Sequence, residues 1–455
     1  MNTSAVVSGL MKKLSVYIAA AARKPLPKEV RERAKLHLLD TLAAITSGSR
    51  LVPGKHAIVY VKTLGGTKEA CVIGTRIVTT AVNAALANGI SGHADETDDS
   101  LQPLMFHPGA SVVPAALALA ERNRHNGALL LRAIVLGYDL GARLMRSLSP
   151  LQFSLSGHHP PSFGGLFAAA GAAGALAGLN SERVRYLLSY TAQQAAGIRS
   201  LFRDPEHVEK AFAMGGMPAH NGVQAALLAA HGFTGVADVF SGDRNFYSVF
   251  SPDGNPAELT SELGKTYEIM NASIKKWPVG GPILAPLDAI ETLRQSNVFH
   301  ADDVERLVVR IAEKQAATVN NRAMPDINMQ HLVALMVLDG TLTFKAAHDF
   351  KRMRDPKVVK LKTRIELIGS AEMDPKRRWH GEVEITLRDG RMLKHYTYAA
   401  RGSNDNPMTR EDENRKALDL LAPVLGRKRA ELLMDAVWNI EKITDMREMR
   451  RYYCT

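Results

Sequence analysis

The apolar residues of this chain change their period part-way along its length, and that change restricts the fold more than any other feature. From 27 to 47, Val30, Ala34, Leu38, Leu39, Leu42 and Ile45 recur at three- and four-residue steps, the spacing of an amphipathic helix. Similar patterns follow at 79–92, 111–124, 127–147, 163–178, 181–196 and 222–231. Small residues crowd several of these segments, which lets helix axes approach closely. Beyond about residue 270 the period shortens to two. Val304, Arg306, Val308 and Arg310 alternate with Leu307, Val309 and Ile311, a strand pattern. Residues 362–368 alternate likewise, and 381–398 reads as two strands joined by Asp389-Gly390, a hairpin signal because glycine accepts positive φ. Between them 328–341 and 343–354 read as helices. The expected fold is mainly α with an α+β second domain: an all-helical part over 1–268, an α+β part over 269–402, and C-terminal helices over 403–455 that return to the helical domain.

Composition supports this reading. A chain of 455 residues with 46% hydrophobic and 23% charged positions suggests two or three domains at about 150 residues each. Three Trp and 6% aromatics, with Ala and Leu dominant, favour packed helices over aromatic-rich strands. Lys and Arg exceed Asp and Glu by 57 − 46 = 11, so the molecule attracts anions. No nucleic-acid partner is expected, because the basic residues are spread along the chain without a helix-turn-helix, zinc knuckle or basic arm. An anionic small molecule accounts for the excess equally well.

Cys71 and Cys454 are the two cysteines. They offer no disulfide framework and suit a reducing cytoplasm. Nor can they supply the several thiolates of an iron–sulfur cluster, so any dehydration has to use side-chain acids and bases. Residues 1–28 show no secretory signal. The segment 163–179 is mostly Ala and Gly and short against the roughly 20 residues of a bilayer span; it reads as a close-packed internal helix, and no membrane partner is expected.

The densest polar cluster is His93-Ala94-Asp95-Glu96-Thr97-Asp98-Asp99-Ser100, followed by His107-Pro108-Gly109-Ala110-Ser111. These residues alone leave open a solvated acidic loop with Ser100 or Ser111 capping a helix. They also leave open a metal site, although the spacings match neither zinc nor EF-hand patterns, and no metal is expected. Gly215-Gly216 reads either as a helix start whose N–H groups attract an anion or as a tight turn. No G-x-G-x-x-G, Walker loop or pyridoxal signature is found, so no cofactor is implied.

The pair HADETDDS and HPGASVVPAALALAE resembles the H-x-x-D-x-D-D-T … H-P-S-x-x-V-P-A-x-x-A-x-A-E signature of the MmgE/PrpD family. That family includes 2-methylcitrate dehydratases, cis-aconitate decarboxylases and iminodisuccinate epimerases. GYDLGARLMRSL, GHHPPSFGGLFAAAGAAGALAGL, QQAAG, GFTGVADVFSG, KKWP and DNPMTREDENRKALDLLAPVLG continue the likeness over nearly the whole chain. The resemblance implies a two-domain, cofactor-free homodimeric enzyme of small polycarboxylates. It assigns the acidic residue three after the first His to Glu96 and the hydroxyl four further on to Ser100. The His of the H-P motif is His107, after a loop one residue longer than usual, and that of the F-H-P-P segment is His159. The two family lysines fall on Lys210 and Lys275. Ala285 stands where the family usually carries His, and His331 where decarboxylases and relatives show Tyr.

The chemistry of the residue types agrees. A β-hydroxy polycarboxylate needs cations for its carboxylates and an acid and base for its protons. Lys210, Lys275 and His159 are suited to holding carboxylates. His107 and His331 titrate nearest neutrality and suit proton transfer, with Glu96 orienting a His or acting as base.

Overall fold

Each 3.6-residue pattern becomes a helix in the computed structural model, which describes residues 7–102, 104, 106–373 and 379–455. The first six residues of the N-terminal stretch lie outside the described residues. The helices are α1 (Lys28–Gly48), α2 (Ala81–Gly92), α3 (Gly109–Arg122), α4 (Gly127–Ser147), α5 (Pro160–Leu176), α6 (Ser181–Gln193) and α7 (Met217–Ala230). Mainly helical structure with one small mixed sheet in the C-terminal region is the observed class.

The chain forms two compact units. One holds the residues up to Ala94, Asp98–Ala272 and Leu420–Thr455; the other holds Asp95–Thr97 and Ser273–Asp419. In the first, α5 is the central helix: all seventeen of its residues are buried, and α3, α4 and α7 pack around it. Its Ala- and Gly-rich sequence is therefore a packing device. Among the described residues no helix is long and apolar enough to cross a membrane.

Gly215 and Gly216 are neither a free helix start nor a tight turn. They lie in a π-helical turn, Phe212–Gly216, that runs directly into α7. A Cβ on Gly215 would stand 2.0 Å from the Gly89 carbonyl oxygen, so glycine is needed for this turn to lie against α2.

Cys71 and Cys454 are also corrected. The two residues, 383 positions apart, are joined as a disulfide. The surrounding tail is docked through Glu121, whose carboxylate accepts from Tyr453 Oη at 2.6 Å, Arg450 Nε at 2.6 Å and the Cys71 amide at 3.1 Å.

In the second unit the alternating segments form strands β1 (Val304–Ala312), β2 (Ile365–Ser370), β3 (Gly381–Leu387) and β4 (Met392–Thr397). Their order is β2-β1-β3-β4, with β1 and β2 parallel and the other pairs antiparallel. Gly390 turns the β3–β4 hairpin at φ +86°. Along β3, Gly381, Val383, Ile385 and Leu387 face inward, where they meet a core that includes Leu284, Ile290, Leu307, Val309 and Val333. Burying each large aliphatic side chain contributes about 1.5–3 kcal/mol. The helix expected over 343–354 is shorter: Phe344–Ala347 is α-helical, and a separate 3-10 turn covers Arg352–Arg354. It stops at His348, whose Nδ1 reaches back to the Phe344 carbonyl at 2.8 Å and whose Nε2 lies 2.8 Å from Asp95.

Candidate active site

Helix α2 ends at Gly92, and the acidic segment follows at once. It is no solvated loop, since every residue from His93 to Ser100 is buried. Buried carboxylates need partners, and each side chain of this segment has a different set.

In the first unit Asp98 lies between two imidazoles. Its Oδ2 is 2.9 Å from His93 Nδ1 and its Oδ1 is 3.2 Å from His107 Nδ1. Burial alone would raise the Asp98 pKa, but the two imidazoles outweigh it and hold the group well below the usual carboxylate range. An ionised carboxylate can only accept, so both Nδ1–H groups donate to it. A neutral His107 then carries its lone pair on Nε2. The His93 and His107 rings meet edge to face at 5.0 Å, and His207 lies against His93 at 5.3 Å.

Asp99 serves the fold. Its Oδ2 accepts from His37 Nδ1 at 2.7 Å and Tyr138 Oη at 2.5 Å, and its Oδ1 accepts the Gly109 amide at 2.9 Å. It thereby ties α1 and α4 to the first residue of α3, two positions after His107. A Cβ on Gly109 would lie 2.5 Å from Thr41 Oγ1 and 2.8 Å from Asp99 Oδ1, so this contact requires glycine.

His159 precedes α5. Ser162 Oγ donates to the Ala213 carbonyl at 2.7 Å, so it receives the Nδ1–H of His159, also at 2.7 Å. Burial, then the nearby charge of Lys210, pushes the His159 pKa down to about 3. At neutral pH His159 is therefore uncharged and offers Nε2 as an acceptor, not a cation for a carboxylate. Lys210 sits in a short helix, Val208–Ala211, half-buried, with its Nζ 6.0 Å from the centre of the Phe202 ring. Ser100 is buried and accepts from Gln102 Nε2 at 2.6 Å.

In the second unit Glu96 meets Lys275. Nζ donates to the Glu96 carbonyl at 2.5 Å and lies 3.6 Å from Oε2. Two further cations hold the same three-residue segment: Lys416 Nζ reaches the Thr97 carbonyl at 3.0 Å, and His348 Nε2 reaches Asp95. Burial works against a charged His348, yet Asp95 and Asp326 raise its pKa to about 9. Asp326, pushed up by burial to about 6, completes that cluster. His331 opens the helix Met329–Asp339, and its amide is capped by Asn328 Oδ1 at 2.9 Å. Neither of its buried ring nitrogens has a hydrogen-bond partner among the described residues, and burial followed by Lys362 and Arg352 lowers its pKa to about 4. Ala285 is fully buried in the apolar core of this unit.

Among the described residues of the first unit, one group has the donor types of a metal site. His93, Asp98 and His107 each bring a ligand atom within 4.8 Å of the others. The same atoms are accounted for by the two hydrogen bonds to Asp98.

Residues 12–259 match the MmgE/PrpD N-terminal domain and residues 277–440 the MmgE/PrpD C-terminal domain. The chain belongs to the MmgE/PrpD family. It is similar to a cis-aconitate decarboxylase-like protein, oryM, of Aspergillus oryzae, at 25% identity over 93% of each chain. It is also similar to a cis-aconitate decarboxylase of Aspergillus terreus, at 24% identity over 96% of this chain and 94% of the relative.

Within the first unit of this MmgE/PrpD chain Lys210 and His107 lie near enough to His159 to act on its charge, whereas Ser100 contacts Gln102; in the second unit Glu96 meets Lys275. His331 has no side-chain link to either Glu96 or Lys275. Sequence reasoning placed His93 and Asp98 in the densest polar cluster without giving them a role, and missed Ser162, His348 and Asp326. Ser162, three residues after His159, carried a usable signal, being on the same helical face. His348 and Asp326 carried none, since His348 pairs with Asp95, more than two hundred positions away, and Asp326 joins the cluster only through His348.

Proposed function

We propose that the protein is a cofactor-free lyase of small polycarboxylates that removes water from a 2-methylcitrate-like hydroxy acid. The observation that carries this reading is the Asp98–His107 pair. A neutral imidazole that donates Nδ1–H to a carboxylate has its lone pair on Nε2, the form of a general base. Dehydration next to a carboxylate begins with such a base: Nε2 takes the α-proton, and the electron pair goes into the carboxylate as an enediolate. The pair then returns to form the C=C bond as the β-hydroxyl leaves as water with the proton that the His107 imidazolium gives back. Lys210 supplies positive charge for a substrate carboxylate, and neutral His159 accepts a hydrogen bond from a substrate hydroxyl. Glu96, Lys275 and His331 enter the proposal through the family motifs.

A second reading is favoured by the relatives, which are named as cis-aconitate decarboxylases. There the C–C bond breaks first, and a protonated His107 returns a proton to the carbanion. Homodimeric assembly and a cytoplasmic location belong to the same proposal. The test is an assay of purified protein with 2-methylcitrate, citrate and cis-aconitate. Growth of the absorbance of a conjugated double bond without release of carbon dioxide supports dehydration; carbon dioxide release supports the second reading; neither would leave an epimerase of an amino or imino dicarboxylate or a carboxylate-binding protein without turnover.

A further inference from the structure

The two neighbouring carboxylates Asp98 and Asp99 divide their work. Asp99 anchors backbone and helices, through Gly109, His37 and Tyr138. Asp98, with no exposed surface, has an imidazole Nδ1 on each of its two oxygens.

We propose that Asp98 is the positioning residue of the proton-transfer imidazole: it accepts Nδ1–H from His107 and so fixes Nε2 as the atom that exchanges a proton with substrate. This rests on the reading of His107 as the acid–base group. Three observations support it. The carboxylate cannot swing freely, because His93 occupies its second oxygen at 2.9 Å. His93 is itself fully buried with no hydrogen-bond partner on Nε2 among the described residues, which suits a clamp better than a group that meets substrate. His107, in contrast, keeps 13% of its side chain exposed. Without a carboxylate on Nδ1 a neutral imidazole can place its proton on either nitrogen, and the Nε2–H form is no base at the reacting atom. Asp98 is thus to His107 what the buried aspartate is to the histidine of a serine-protease triad, where loss of the carboxylate lowers kcat about 10⁴-fold by leaving the wrong tautomer.

Because Asp99 independently fixes the chain on either side of His107, an Asp98 variant should keep the fold. The experiment is ¹⁵N-histidine NMR of the full-length protein at alkaline pH, with His107 assigned from the spectrum of His107→Gln, together with kinetics of Asp98→Ala and Asp98→Glu. Expected in the wild type is Nδ1–H with a bare Nε2 at His107. In Asp98→Ala that preference should be lost, with kcat down by about 10²-fold or more and KM close to wild type. Asp98→Glu should restore the tautomer and part of kcat. An Nε2–H tautomer at His107 in the wild type, or an unchanged Nδ1–H tautomer in Asp98→Ala, would overturn the proposal. Should Asp98→Ala fail to fold, the wild-type spectrum decides alone. The spectra need no substrate, so failure of the proposed reaction is read separately from failure of this assignment.

Discussion

Lys275 Nζ donates to the backbone carbonyl of Glu96 at 2.5 Å while standing 3.6 Å from its carboxylate. The family lysine is 1% exposed and therefore holds the acidic segment in place, whatever it does for a ligand. Lys275→Met should abolish activity and also destabilise the protein, because it leaves a buried carboxylate without its cation. Breaking a buried pair on one side costs about 3–5 kcal/mol. Denaturant unfolding monitored alongside kinetics checks this: lost activity with unchanged stability would mean that Lys275 serves the ligand alone.

His107→Gln removes the imidazole whose Nε2 acts as base. Expected is a fall in kcat of about 10²-fold or more, the usual size of a general acid–base contribution, with substrate binding largely retained. Near-normal kcat would transfer the role to another group, and His159 would be the next to test.

His348 sets a pH dependence of stability. Its folded pKa is raised to about 9 against roughly 6.5 unfolded. A raised histidine stabilises fully below the unfolded value, and the contribution fades as pH climbs through the folded one. The wild type should therefore lose on the order of 3 kcal/mol between about pH 6.5 and 9 relative to His348→Gln. Parallel unfolding curves for the two proteins across that window would remove the ion pair with Asp95 from the account.

Much of the fold was legible because it rests on local patterning. The steps of Val30, Ala34, Leu38 and Leu42 and the alternation about Val308 each report which face is buried, and the Asp389-Gly390 hairpin is set by one dipeptide. The helix over 343–354 was overestimated: it ends at His348, which closes it on the Phe344 carbonyl and also meets the sequence-distant Asp95, a contact no local pattern encodes. The site divides in the same way. His107, His159 and Lys210 were singled out through motifs, whereas the hydrogen-bond partners of the two imidazoles come from elsewhere: Asp98 from the preceding segment and Ala213, through Ser162, from beyond α6. The net charge carries no information on His159, whose neutrality is set by its burial and by Lys210.

Chelation tests the metal-free reading. Activity should survive prolonged treatment with a strong chelator, since hydrogen bonding already accounts for the His93, Asp98 and His107 ligand atoms. Loss of activity with rescue by one divalent ion would assign those three residues to a metal instead.

The most direct test of the central claim is the mass of the product. Wild-type protein is incubated with a panel of hydroxy and unsaturated polycarboxylates, and each reaction is read by mass spectrometry beside a His107→Gln control. The account predicts at least one acid converted to a product lighter by one water, with conversion nearly absent in the control. A product lighter by carbon dioxide, or no mass change across the whole panel, would contradict it.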